Sequence, residues 1–397
     1  MEKLLFYMFL FSLLILPQIS FAEILKSVEV TGNKRTTKSS IIQHGHIEIG
    51  HELSEEDLRK IKEHLGRVNQ IHLKKIEFMN GVLSIDIEEK WTLFPVPMIT
   101  ESGNYHNRGF LIYEDNFMGT LGTFAPGVSW SNSIFNAILY YQDESLFSHA
   151  TGMKILLMRK SDYVEFKRVE KTVNIHESRY DLYMITPNYL YENQVFKAGP
   201  VYIDKKIYSE SGAQIFQDQS RGIFFRHHLN AYQTMEVMYE GLVTTYDLYT
   251  LRSGNHWIFR NEADARWSFP RDGNFFNFGV HGHHVNNGSF LFPKYLGGEE
   301  GYRGYDKSSL PASANAGAYA QYQQHLFHRI YLSPFFEYNS SKLINDIHSG
   351  SSISENTIGV GLRYYFKKIS IPAVIFDYAK NINDKSDHFH INVGVNL

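Results

Sequence analysis

The chain has 397 residues, of which 43% are hydrophobic, 15% aromatic and 20% charged, and it contains no cysteine. That aromatic content excludes a disordered chain, which buries too little apolar surface to offset the entropy of ordering, and the missing cysteines exclude a disulfide scaffold and thiolate-ligated zinc or iron–sulfur centres. A formal net charge of −3 leaves no basic footprint for a nucleic-acid partner.

Residues 1–22 read as an export signal. Lys3 supplies a positive start, Leu4–Leu16 is apolar apart from Ser12, and Pro17 ends the run. Ser20-Phe21-Ala22 places small residues before a cut at Glu23. The alternative is a membrane anchor, but the run falls short of the ~20 residues a spanning helix needs. An exported chain without stray thiols suits an oxidising compartment.

Residues 23–90 read as a small α+β domain. Ile24–Thr31 alternates as a strand, and Gly32-Asn33 ends it. Thr36 or Thr37 can cap a short helix carrying Ile41 and Ile42, with Gly45 at its stop. Ser54 and Asp57 form a capping box in its Asp variant. The helix that follows aligns Leu58, Ile61, Leu65 and Val68 on one face. Ile71–Met79 and Val82–Glu88 flank Asn80-Gly81, a strong hairpin signal. On KSVEVTGNKRTTKSSII, LSEEDLRKI and GVLSIDIEE, this β-α-α-β-β order resembles a POTRA domain. The resemblance implies a periplasmic module whose free strand edge takes up extended protein segments by main-chain hydrogen bonding. A plain spacer is the alternative.

Residues 91–397 show no sustained helical period. Short alternating runs are separated by Gly, Asn, Asp, Ser and Pro. In Ile358–Lys367, Ile358, Val360, Leu362, Tyr364 and Phe366 share one face, and Gly359, Gly361, Arg363, Tyr365 and Lys367 the other. The last strand repeats the design, with Phe389, Ile391, Val393, Val395 and Leu397 opposite His388, His390, Asn392, Gly394 and Asn396. Such a run is long enough to cross an outer membrane when tilted. The division fits one face on lipid and one on water or polar protein. In hydrocarbon every backbone amide needs a partner, so the sheet must close into a transmembrane antiparallel β-barrel. At about 19 residues per strand and turn, this segment makes about 16 strands. A soluble β-sandwich is the alternative, but its strands would be unusually long.

Leu296–Tyr305 reads LGGEEGYRGY. With its Gly-Gly and Arg-Gly-Tyr in this order, it resembles the inward-folded loop of the BamA/TamA superfamily of outer-membrane assembly and translocation proteins (the bacterial surface antigen type). Supporting matches follow in order: Phe269–Gly273 with the family's periplasmic turn, Ala314–Gln323 with the strand after the loop, Phe335–Asn339 with its Phe-x-Asp-x-Gly strand, Ile358–Tyr365 with its Gly-x-Gly-Leu-x-Tyr strand, and Phe376–Ala379 with its Asp-Tyr-Ala strand. Asn116–Thr120 matches a turn near the barrel's start. The resemblance implies that residues 292–311 form a loop folded into the lumen, with Gly297, Gly298, Arg303, Gly304 and Tyr305 at its tip and Arg303 paired with acids on the inner wall.

The chemistry can also be argued directly. A guanidinium stays charged and is costly to bury unless a carboxylate satisfies it. By parity, Glu337 and Asp377 face inward if Phe336, Tyr338, Phe376 and Tyr378 face lipid, so both are candidate partners of Arg303. Glu337 stands where the family has Asp. The terminal strand offers Phe389, Gly394 and Leu397 as seam residues: Gly394 weakens strand packing, and Leu397 replaces the family's usual Phe or Trp. In the assembly-factor branch a weakly paired last strand opens a lateral gate against the first.

His281/His283 and His388/His390 are i, i+2 pairs that could chelate a metal, but no third ligand is fixed by spacing, and polar lumen lining is the preferred reading. There is no nucleophile elbow, HExxH or Walker loop. The expectation is therefore no enzyme, no cofactor and no metal. Expected partners are the outer-membrane bilayer, unfolded or extended periplasmic protein segments and accessory envelope proteins, with the barrel in a bacterial outer membrane and the POTRA-like domain in the periplasm. Three functions stay open: insertion or translocation of outer-membrane cargo, a two-partner-secretion-like transporter, and a passive pore or structural surface protein.

Overall fold

The computed structural model describes residues 23–66, 68, 70–102, 105–131, 134–148, 151–166, 171–187, 194–209, 211–234, 239–286, 292–298, 301–306, 310–346, 349–365 and 372–393. The export signal of residues 1–22, Lys367, Gly394 and Leu397 lie outside them. The chain divides into two compact units, Met1–Trp91 and Thr92–Leu397.

The first unit runs β1 (Glu23–Ile24), β2 (Ser27–Thr31), α1 (Lys38–His44), β3 (Glu52–Leu53), α2 (Glu55–Gly66), β4 (Ile71–Met79) and β5 (Val82–Glu89). The strand expected over Ile24–Thr31 is split. Leu25 N–H donates to the His51 carbonyl at 2.9 Å, and β1 pairs with β3 rather than with the main sheet. That sheet has the order β2-β5-β4, with β2 parallel to β5, so β2 and β4 are its edges. Asn80 and Gly81 both take positive φ, 54° and 78°, as a tight hairpin turn requires.

Both helix caps follow from the side chains. The Thr37 hydroxyl accepts from Ser40 N–H at 3.2 Å, and Ser54 and Asp57 exchange backbone bonds at 3.0 and 3.2 Å. The Ser54 hydroxyl, which donates to Asp57 Oδ2 at 2.6 Å, and then the Ser54 N–H hold the Asp57 carboxylate below its ordinary range. Helix α2 buries Ile61 and Leu65, while Val68 lies past its end.

The Glu89 carboxylate accepts the N–H groups of Lys34, Arg35 and Thr36 at 3.0, 2.9 and 2.6 Å, closing the turn between β2 and α1. Partial burial works against ionisation here, but those three N–H groups win and hold Glu89 below its ordinary value of 4.5. A lowered folded-state pKa stabilises above the unfolded value and is lost as pH falls. Glu89→Gln is therefore expected to lower the thermal midpoint of this unit at neutral pH, with the gap from wild type closing as pH drops below 4.5. Equal midpoints at neutral pH would discount the carboxylate.

The second unit is all β. Its first strands are β6 (Leu93–Ser102), β7 (Tyr105–Phe117), β8 (Gly122–Ser131), β9 (Ile134–Ser148), β10 (Thr151–Phe166) and β11 (Lys171–Pro187). β12 (Gln194–Ser209), β13 (Gln214–Thr234), β14 (Tyr239–Ser253), β15 (His256–Arg271) and β16 (Asn274–Val285) continue it. After the short β17 (Lys294–Leu296) come β18 (Leu310–Phe327), β19 (Ile330–Asp346), β20 (Ser349–Tyr365), β21 (Pro372–Asn381) and β22 (Asp387–Val393). Each strand pairs antiparallel with the next, β16 pairs directly with β18, and β22 pairs with β6. The result is a closed 16-strand transmembrane barrel, with β17 a loop strand against the start of β18. Sequence patterning had no signal for β17, which is too short to show a period.

Alternation sets the two surfaces. Phe336, Tyr338, Ile358, Val360, Leu362, Phe376 and Tyr378 are exposed on the outside. Ser333, Glu337, Asn339, Thr357, Arg363 and Asp377, at the intervening positions, are buried on the inside. A sheet with no free edge satisfies its backbone internally, as hydrocarbon surroundings demand.

Candidate functional site: the lumen loop and the closing seam

The segment between β16 and β18 turns back into the barrel. Gly297, Gly298 and Gly301 take positive φ of 123°, 72° and 88°, a region nearly closed to residues with a Cβ. At Gly297 a Cβ would also meet the Asp306 carbonyl, and at Gly304 the Thr357 side chain. Gly298 N–H donates to the Tyr302 and Tyr305 carbonyls at 3.2 and 2.9 Å, which tightens the tip. Tyr302, Tyr305 and Leu296 pack with Leu310, Ala312 and Leu343.

Arg303 is 1% exposed, and its chief partner Glu337 on β19 is fully buried. Arg303 Nε donates to Glu337 Oε1 at 2.6 Å, and its backbone N–H donates to Oε2 at 2.7 Å. Gly301 N–H adds a bond to Oε1 at 2.9 Å. Arg303 Nη1 donates to Gln321 Oε1 at 3.0 Å, and the guanidinium lies 3.4 Å from the Phe335 ring centroid. One carboxylate thus holds both the side chain and the backbone of the tip. Asp377 is more distant, at 3.6 Å from Nη1, and its nearer cation is Arg363 of β20 at 3.2 Å. The two acids singled out by parity do converge on Arg303, but unequally. Arg363, inward by the same parity, was not assigned a role from sequence.

The histidine pair of the last strand also meets this loop. His388 Nδ1 lies 2.9 Å from Asp306 Oδ1. His390 Nε2 donates to the Arg303 carbonyl at 2.8 Å, which leaves Nδ1 to accept the Ser102 hydroxyl of β6 at 2.8 Å. The loop tip is therefore bonded to β22 and, through one imidazole, to β6 across the closure. Of the other pair, His281 contacts Asn339 Oδ1 at 2.9 Å and His283 lies beside Glu262. Among the described residues no group of three His, Asp or Glu side chains could hold a metal.

The closure joins the last strand to the first. β6 and β7 are registered along the whole of Leu93–Ser102, but β22 and β6 only from Ile99 to Ser102 among the described residues. Past Ile99 on β6 stand Pro97 and Pro95. A proline in a strand lacks the N–H for one of its two neighbours. Pro126, Pro200 and Pro334 demonstrate it: pairing is unbroken on one side and interrupted on the other. The β6–β7 ladder runs unbroken through Pro95 and Pro97, so their missing donors face the seam. Sequence patterning passed over these prolines, although LFPVPMI in a first strand was the available signal. Phe389 points outward on β22 and is exposed.

No protein-family model matches the chain, and no curated protein matches it either. Solved structures do match. BamA from Haemophilus ducreyi lacking POTRA domains 1–3 aligns over 94% of this chain and 84% of that one, with 14% identity and a TM-score of 0.61. CdiB from Acinetobacter baumannii covers 94% and 74% at 11% identity and a TM-score of 0.64. CdiB from Escherichia coli covers 94% and 77% at 10% identity and 0.65. The chain has the BamA/CdiB barrel fold. In this BamA/CdiB-type barrel the lumen holds the Arg303 loop and, on β11–β15, an apolar cluster of inward residues that includes Tyr183, Ile203, Phe224, Tyr249 and Ile258 and that Phe292 joins.

Proposed function

We propose that this barrel works in a bacterial outer membrane, where it inserts or translocates other polypeptides through the β22–β6 seam. The observation that carries this reading is Pro95 and Pro97 on β6, which keep the β6–β7 ladder intact and so offer no N–H donor on the side of the β22–β6 closure. Unpaired strand edges inside a bilayer are costly, so an incoming extended segment that supplies the missing partners is stabilised there by strand addition. In this reading the first unit is a periplasmic POTRA domain that passes such segments on through the edges of β2 or β4. Arg303, Glu337 and His390 keep the seam shut between events, because the tip holds β19, β22 and β6 together. No bond is broken and no cofactor is called for.

Depletion of the protein followed by a quantitative survey of the outer-membrane fraction tests the proposal. Loss of several barrels is the result expected for insertion. Loss of one secreted partner alone favours a dedicated secretion transporter. An unchanged outer membrane and secretome would sink both. A passive pore is the less favoured reading, since the loop and the apolar cluster occupy the lumen.

A further inference from the structure

On the outer wall, away from the seam, one rung of outward side chains crosses five adjacent pairings. Leu157 pairs with Tyr180, Tyr180 with Tyr202, Tyr202 with Arg221, Arg221 with Arg252, and Arg252 with Trp257. The rung therefore sets two arginines directly opposite each other between aromatic flanks. Their Cβ atoms are roughly 5 Å apart, and like charges so placed repel. Arg252 Nε donates to the Gly254 carbonyl at 3.2 Å. Among the described residues neither guanidinium has a carboxylate within ion-pair distance. Asp204, an acid on the next rung, is registered with Gln219 and accepts from Gln217 at 3.3 Å.

The neighbouring rungs give this pair a direction. On one side the wall turns polar, with Ser178, Asp204 and Gln219 in register. On the other it is apolar, with Ile155 paired to Leu182 and Pro200 to Ile223. Here the wall is hollowed into an 830 Å³ groove, lined by both rungs and by Gly222. The groove lies where Pro200 interrupts the β11–β12 ladder. Its charged end lies at the barrel end where β16 finishes and β18 begins, because Arg221 is near the start of β13 and Arg252 near the end of β14.

We propose that this groove binds a lipid carrying a phosphorylated headgroup, in the leaflet at that end of the barrel. The phosphate sits between Arg221 and Arg252, and an acyl chain lies along Ile155, Leu182 and Ile223. Charge complementarity and geometry single out this occupant. Two guanidiniums at this spacing can each bind a phosphate bidentately, which turns their repulsion into a shared attraction. The aromatic flanks mark headgroup depth, and the apolar rung begins one residue pair below, where chains begin.

Native mass spectrometry of the full chain in a non-ionic detergent tests this. Phosphatidic acid is titrated against the matching diacylglycerol and against inorganic phosphate. The expected result is a one-to-one phosphatidic acid adduct, with diacylglycerol and phosphate at least about tenfold weaker. Arg221→Gln and Arg252→Gln each weaken the adduct about tenfold, the weight of one hydrogen bond to a charged group. Ile223→Trp, which fills the groove and leaves both arginines, weakens it as well. Heat-modifiable migration on gels verifies that each variant forms its barrel. Equal binding by the Arg221→Gln/Arg252→Gln double variant would overturn the site. Equal affinity for inorganic phosphate, or unchanged binding by a folded Ile223→Trp variant, would remove the acyl chain from the proposal and so overturn it too. No specific adduct with the wild-type chain would have the same effect, and would leave the groove to a protein partner.

Discussion

Oxidation of a Thr100→Cys/Asn392→Cys variant is expected to stop insertion or translocation, with activity returning on reduction. The two residues are registered partners across the β22–β6 closure. Opposed residues on antiparallel strands lie within the Cα separation that a disulfide spans. The chain has no cysteine of its own, so the bridge forms without competitors. If the seam must part, a covalent link forbids the step outright and activity falls to background. Ser340→Cys/Ser354→Cys, registered partners on β19 and β20, is the control for a bridge that leaves the seam alone. Full activity of the oxidised Thr100/Asn392 bridge would rule out a working seam. Pro97→Val acts more gently in the same direction. It restores one donor on the closure side of β6, worth about 1 kcal/mol if paired, and is expected to raise the barrel's thermal stability while slowing transport.

Arg303→Ala should release the loop. The arginine and Glu337 form a buried pair, and removing one partner of such a pair costs about 3–5 kcal/mol because the other charge is stranded. Glu337→Ala should do as much damage, since the same carboxylate also holds two backbone N–H groups of the tip. Expected readouts are greater single-channel conductance in planar bilayers, greater sensitivity to bulky antibiotics, and lower transport. Arg303→Lys should not rescue, because a single ammonium cannot reach Glu337, Gln321 and the Phe335 face at once. Lys342→Ala, an exposed cation on β19, should behave as wild type. Wild-type conductance and transport in Arg303→Ala would strip the loop of its gating role.

Much of this arrangement could be read from residue order, and the remainder could not, for a physical reason. The barrel class was legible because alternation is local: each side chain's face follows from its neighbours two positions away. That sufficed to put Glu337, Asp377 and Arg363 inside and Phe336 and Phe376 outside. The loop glycines were legible as well, since left-handed backbone selects glycine wherever it occurs.

Register between strands is not local. It depends on turns, bulges and prolines along the whole wall, and parity cannot supply it. Only the folded chain could choose Glu337 over Asp377 as the main partner of Arg303, or hand Asp377 to Arg363. It turned His388 and His390 from lumen lining into the fasteners of the loop. It also aimed Pro95 and Pro97 at the closure and brought Arg221 opposite Arg252, residues separated in sequence but adjacent on one rung. The sequence by itself determined which face each residue takes; the tertiary structure decided which residues meet, because meeting is set by how far each strand slides against the next.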